Sequence, residues 1–146
     1  MAVTKFLARD LSIAIQVAGT GGNEFIPIKG LNSLTHSPSS TDAETTDFDS
    51  EGRSEHMKAE RGDSWTLAGF TLEDVLTGDR DPGQAAVEDL AKERGLDSLG
   101  TFRITSPGGT TATFQASAET TLAGGGNNDA AAWQAVVRIS GDITYA

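Results

Sequence analysis

Asp47, Asp49 and Glu51, followed by Gly52, place side-chain oxygens at positions one, three and five and a glycine at position six, the opening of a calcium-binding loop. The pattern stops there. Position twelve, which needs a bidentate glutamate, is Lys58, and no helical periodicity flanks the segment. A solvated acidic loop with no metal ligand is expected. His36 and His56 are the only histidines; both sit in poorly apolar surroundings and outside any H-E-x-x-H arrangement, so they read as surface imidazoles. No G-x-S-x-G turn presents a nucleophilic serine. The absence of cysteine removes disulfides, thiolate chemistry and all-cysteine metal sites together.

Nucleotide motifs fail in the same way. Gly19-Thr20-Gly21-Gly22-Asn23-Glu24 lacks the third dinucleotide-fold glycine and a following helix, no G-x-x-x-x-G-K loop occurs, and Gly124 to Asp129 reads as a flexible strand connection. Trp65, Trp133 and Tyr145 could stack on sugars, but isolated aromatics at strand parity fit a core better. No enzymatic activity and no cofactor are expected.

The elements that carry these residues are mostly strands. Leu11, Ile13, Ile15 and Val17 alternate with Ser12, Ala14 and Gln16; a turn at residues 19–23 then leads to Phe25-Ile26-Pro27-Ile28, where Pro27 is tolerated only at an edge or bulge. Asp63 to Leu72 reads as a strand with Trp65 and Leu67 on one face and a bulge at Gly69. Asp81-Pro82 supplies an N-cap and a first-turn proline, which predicts a helix over Pro82 to Arg94 ending at Gly95, with Glu88 and Lys92 paired on its wet side. Phe102-Arg103-Ile104 and Ala112 to Ala118 flank a hairpin turn at Ser106-Pro107-Gly108-Gly109. From Trp133 to Tyr145 period two holds throughout, as one strand or one kinked at Gly141.

The expected fold is therefore mainly β, a small β-sandwich or barrel of six to seven strands with one flanking α-helix and a long acidic loop. Leu11, Ile13, Ile15, Phe102, Ile104, Phe114, Trp133, Val137 and Ile139 are expected inside it, closed by the helix stripe Val87, Leu90 and Ala91.

Size and charge set the outer limits. With 146 residues and 15.2 kDa, the chain suits one domain over 1–146, with roughly 7,100 Å² exposed when compact. Hydrophobic residues make up only 37%, so the core is thin. Eleven basic against 21 acidic side chains give a net charge of -10, which repels phosphate backbones and excludes a tight nucleic-acid binder. The stretch Leu11 to Ala18 is broken by Ser12 and Gln16 and preceded by Asp10, so neither a signal sequence nor a membrane span is expected, and the chain is expected to begin near Met1.

One stretch fits none of this. Between Asn32 and Gly52 the apolar signal nearly vanishes, no Lys or Arg occurs between Lys29 and Arg53, and the connection reads as structureless, running into a polar extended arm at residues 53–60. Such a segment cannot bury itself, yet it is too long for a connector. Residues 32–60 are thus expected to form an assembly loop ordered by neighbouring chains, with Ser39, Thr41, Asp42, Glu44, Asp47, Phe48, Asp49, Glu51 and Arg53 as contact residues. Residues 141–146 are expected as a C-terminal arm.

The order of these features resembles the major tail tube proteins of long-tailed, siphovirus-type bacteriophages. The resemblance lies in Phe25 to Leu34 leading into Ser-Pro-Ser-Ser-Thr, in Thr45 to Gly52 followed by Arg53 to Leu72, in the helix after Pro82, and in Phe102 to Gly141-Asp142-Ile143. It covers most of the chain as a pattern of elements. It implies a β-sandwich related to the haemolysin-coregulated protein of type VI secretion, hexameric rings stacked into a tube, tape-measure and tail-terminator or tail-tip proteins as partners, and no membrane. It also implies double-stranded DNA passing the lumen without specific binding, and a place in the virion tail after synthesis in the bacterial cytoplasm.

One strand face would then line the channel. Thr111, Thr113, Gln115, Ser117 and Glu119, with Arg103 across the hairpin, form a nearly neutral coat that offers DNA few phosphate contacts. The alternatives are an inner-tube protein of a contractile or type VI-like system, or a monomeric β-sandwich binding module such as an adhesin or capsid decoration domain. For the acidic loop the expected outcome is simple: millimolar calcium leaves the Tm unchanged. A saturable rise abolished by Asp49→Ala would establish a calcium site.

Overall fold

The computed structural model describes residues 3–19, 22–123, 126–128 and 130–146. The expectations that fall on Met1, Thr20, Gly21, Gly124, Gly125 and Asp129 lie outside the described residues. Among the described residues the strands are β1 (Ser12–Gly19), β2 (Gly22–Pro27), β3 (Leu31–Glu44), β4 (His56–Phe70), β5 (Gly100–Thr105), β6 (Thr111–Ala123) and β7 (Ala132–Tyr145), with one α-helix, α1 (Pro82–Ala91), between β4 and β5. All pair antiparallel in one sheet of order β2-β1-β5-β6-β7-β4-β3. The mainly β fold with seven strands and a flanking helix is as the sequence predicts, and the seven strands form one sheet that does not close.

The sheet curls. Ile104 of β5 and Trp65 of β4 line one cavity although two strands separate theirs in the sheet, a span a flat sheet would hold apart at about 4.8 Å per strand. The enclosed face carries the core: Ile13, Ile15, Phe102, Ile104, Phe114, Trp133 and Val137 are buried as their parity predicts, joined by Leu67, Ala116, Ala118, Ala135 and Ile28. Ile139 is half-buried against this cluster. Leu11 is not part of it, because a short helical turn at Ala8–Asp10 ends there and β1 begins only at Ser12.

The helix lies over the enclosed face. Asp81 caps it by accepting from the Gln84 amide at 3.3 Å, with Pro82 at the first position. It ends at Ala91, three residues before the expected Arg94, because the Lys92 and Glu93 amides bond back to Asp89 and Leu90 in a tightened last turn. Val87 is fully buried, while Leu90 and Ala91 are only half-buried. Glu88 does not face water with Lys92. It accepts from Arg80 Nη2 at 2.6 Å and from the indole Nε1 of buried Trp133 at 3.0 Å, and Lys92 lies instead 3.9 Å from Asp89. A buried indole N–H needs an acceptor, which draws the glutamate inward.

Of the two expected irregularities, the one at Gly69 sits elsewhere and the one at Gly141 is a bulge within a single strand. Gly69 pairs regularly with both Leu31 and Trp133, and the bulge is on β3 at Asn32. Gly69 is required for space, since an added Cβ would strike the Gly30 carbonyl. β7 runs unbroken from Ala132 to Tyr145, with a bulge over residues 141–143 where Gly141 takes φ +83°. Residues 141–146 continue this strand, and Ala146 exchanges both backbone hydrogen bonds with Thr111 at 3.0 Å.

At one corner the β2–β3 connection, the end of β4 and the start of α1 meet. Gln84, fully buried, donates through Nε2 to the carbonyls of Lys29 (2.9 Å) and Phe70 (2.8 Å) and accepts from the Leu72 amide at 3.1 Å. Gly83 lets the helix approach so closely that a Cβ there would strike the Pro27 carbonyl. Gln84→Ala leaves three backbone groups unmet at a buried site, so it should lower unfolding stability by about 3–5 kcal/mol in urea titration. A loss below about 1 kcal/mol would mean that water replaces the amide.

Candidate functional site

The segment expected to be structureless is half of a long ribbon. β3 pairs with β4 from Leu31 opposite Gly69 out to Glu44 opposite His56, with a bulge at Ala59. Backbone pairing needs no apolar parity, which is why a polar run can be a strand. β7 covers the far edge of β4 only from Ser64 to Phe70. Beyond that point the ribbon has no third strand among the described residues, and residues 35–44 and 56–61 are exposed on both faces.

The tip is built from polar side chains. Thr46 Oγ1 accepts from the Glu55 amide at 2.8 Å and donates to its carbonyl at 3.2 Å, while the Thr45 amide bonds the same carbonyl at 2.9 Å. Asp47 Oδ1 accepts from the Asp49 amide (3.0 Å) and from Ser50 Oγ (3.1 Å), and Ser50 Oγ accepts in turn from the Asp47 amide at 3.1 Å. This capping turn spans Phe48–Ser50 and buries Ser50. Asp47, read as the first calcium ligand, is thus a helix cap, and no group of three His, Cys, Asp or Glu suited to a metal occurs among the described residues. Phe48 stands wholly exposed at the apex.

The structure places the other residues expected to meet neighbouring chains along the same ribbon: Ser39, Thr41, Asp42 and Glu44 on β3, Asp49 and Glu51 in the tip, and Arg53 where its amide bonds the Ser50 carbonyl at 3.0 Å. Asp42 lies opposite Lys58. His36 Nε2 and Asp63 Oδ1 are 3.1 Å apart at the ribbon's base, with the imidazole tilted on Trp65 at 4.9 Å between ring centres; His56 is exposed. Trp133 is core, whereas Tyr145 is exposed.

The second candidate surface is the outer sheet face. Thr113, Gln115, Ser117 and Glu119 alternate with buried Phe114, Ala116 and Ala118, so they point away from the core. Thr111 lies opposite Thr105, and Arg103 directly opposite Thr113. Two features of this face come from register rather than from any one strand. Arg138 sits opposite Ser117 and pairs with Glu119 at 3.1 Å, a well-exposed contact of little energetic weight. Arg103 is therefore not the sole basic group there. Its guanidinium reaches over Ala14 of β1 to lie 3.9 Å from the ring centre of Phe25 on β2, a cation–π contact that the small Ala14 permits. The period-two pattern of β7 already puts Arg138 on the face away from the core; its partner is set by strand order.

No protein-family model matches this sequence, and no curated protein does. Solved structures do match. A chain in the tail of an empty gene transfer agent particle, computed with helical refinement and C6 symmetry, superposes with TM-score 0.71 at 20% identity, covering 97% of this chain and 99% of that one. A chain in the virion of the native gene transfer agent particle gives 0.72 at 17%, with the same coverage. A chain in the six-fold symmetrised baseplate of the anti-feeding prophage gives 0.61 at 12%, covering 99% and 97%. At such identities the likeness establishes a shared fold, end to end. The fold is thus one found in tail and baseplate assemblies of six-fold symmetry.

Proposed function

We propose that this protein is a tail-tube subunit: hexameric rings of it stack into the tube of a siphovirus-like, long-tailed particle, joined to tape-measure and terminator or tip proteins, and conduct double-stranded DNA. The supporting observation is surface. The chain exposes 10250 Å², against roughly 7,100 Å² for a compact monomer of its mass. The excess belongs with a ribbon exposed on both faces, which a solitary domain has no reason to keep rigid. A chain whose shape is completed by neighbours does. The fold shared with chains of six-fold tail and baseplate assemblies supports the same reading, with higher TM-scores for the gene transfer agent chains than for the baseplate chain. A net charge of -10 fits a conduit for a polyanion, because every phosphate neutralised would add affinity and friction.

The test is electron microscopy of the concentrated protein in negative stain. Rings or tubes are expected without any ligand, and a uniformly monomeric protein would favour the binding module. Replacing Ser39 to Gly52 by a short Gly-Ser linker should leave a folded subunit that no longer assembles; normal tubes from that variant would remove the ribbon from assembly.

The outer face carries a separate expectation. Gln115 is exposed, with Thr101 and Ser140 directly opposite it and neither arginine so placed, so Gln115→Lys should assemble normally. If this face lines the lumen, each ring gains six charges, and particles carrying the change should eject DNA more slowly, with relief at high salt. Unchanged ejection would move the lumen to another face.

A further inference from the structure

Three open clefts flank the helix and the seam between the sheet's two edges, and their charges differ. One, beside α1, is lined by Ile15, Val17 and Leu90 with Asp89 and Glu93 at its rim. A second lies between Glu88 and Glu119, with Lys92 and Thr120 also lining it. The third, about 320 Å³, lies at the seam where the short turn before β1 meets the β2–β3 connection; Leu11, Pro27, Leu31 and Leu34 line it, with Arg9 and Lys29 beside them. Both basic side chains are exposed, and neither makes an ion pair among the described residues.

The ribbon tip is the complement of this third cleft. Phe48 is wholly exposed, and the surrounding turn is held by the Asp47, Ser50 and Thr46 hydrogen bonds, so the ring is presented with little conformational freedom left to lose. Asp49 and Glu51 follow it in the same turn. The acidic rim of the first cleft repels such a tip and the second has charges of both signs with no large apolar side chain to receive a ring, whereas Arg9 and Lys29 attract the tip to the third. The ribbon beyond β7's cover is about eight residues long on β3, roughly 27 Å at strand rise, which carries the tip well clear of its own domain.

We infer that Phe48 of one copy seats in the Leu11–Leu34 cleft of a second copy, with Asp49 and Glu51 against Arg9 and Lys29. This rests on the tube reading and adds to it the surface that receives the ribbon. It also assigns a second role to the Gln84 corner. The bond from Gln84 Nε2 to the Lys29 carbonyl fixes the backbone at the cleft's rim.

The experiment replaces Phe48→p-benzoylphenylalanine, which keeps an aromatic ring at the tip, and irradiates the full-length protein after assembly. The expected product is a two-chain species on denaturing gels whose crosslink maps to residues 8–13 or 27–34. Tubes that crosslink elsewhere, or not at all, overturn the docking site while the tube reading stands; a wild-type chain that never assembles overturns both. In parallel, Phe48→Ala, and Arg9→Glu with Lys29→Glu, should each raise the protein concentration needed for assembly by about tenfold or more, as for a buried aromatic anchor. Adding Asp49→Lys and Glu51→Lys to the charge-reversed chain should restore assembly. Assembly of both variants at the wild-type concentration would overturn the proposal.

Discussion

The three hydrogen bonds of Gln84 hold together a corner where the two ends of the sheet come near each other. Its amide joins the Lys29 carbonyl, on the turn leaving edge strand β2, to the Phe70 carbonyl at the end of β4 and the Leu72 amide beyond it. A buried amide with every partner drawn from backbone is costly to misplace, because each group left alone at that depth loses its hydrogen bond without regaining water. Gly69 and Gly83 make the approach possible, since a Cβ at either would strike a carbonyl of the β2–β3 segment, that of Gly30 or Pro27. The edges β2 and β3 are thereby brought together without pairing, and the unpaired seam becomes a cleft.

Everything outside the corner divides by face. The enclosed side takes the apolar parity of each strand and one helix stripe, with the Trp133–Glu88–Arg80 chain as its polar seam. The outer side carries threonines, serines and glutamines with two arginines held apart, one over Phe25 and one beside Glu119. The ribbon belongs to neither side. Its stability comes from cross-strand backbone bonds and a tip of local side-chain caps, interactions that do not depend on burial.

That division explains what could be read from the residues alone. Period two in β1, β5, β6 and β7 and the Asp81-Pro82 cap are local patterns, so most of the core and the start of the helix were legible. The ribbon was not legible as a strand, since the usual signal is alternation against a core and residues 35–44 have none to face. Glu88 was misread for a related reason: its spacing to Lys92 is local, whereas the indole that claims it lies 45 residues away. On the candidate surfaces, the parity of Thr113 to Glu119 was visible in β6, but Arg138 beside Glu119 and Arg103 over Phe25 follow from strand order, which no single strand encodes. Leu11 had the right parity and failed because its strand starts one residue later.

A subunit with two unpaired sheet edges and a long ribbon invites uncontrolled strand addition, and the sequence counters this at the places where it would start. β2 is short and ends in Pro27, which offers no amide to a further strand. On the ribbon, β3 carries Pro38 near the point where β7 stops covering β4, followed by Asp42 and Glu44 on its distal stretch. Proline and like charge along an exposed edge leave backbone pairing between copies unfavourable, so association has to proceed through side chains. The large apolar side chain standing at full exposure at the ribbon's apex is Phe48, and it is set in acidic surroundings that disfavour the acidic cleft beside α1. Edge protection and a charged anchor together favour one geometry of contact over many, which is what separates ordered polymerisation from aggregation.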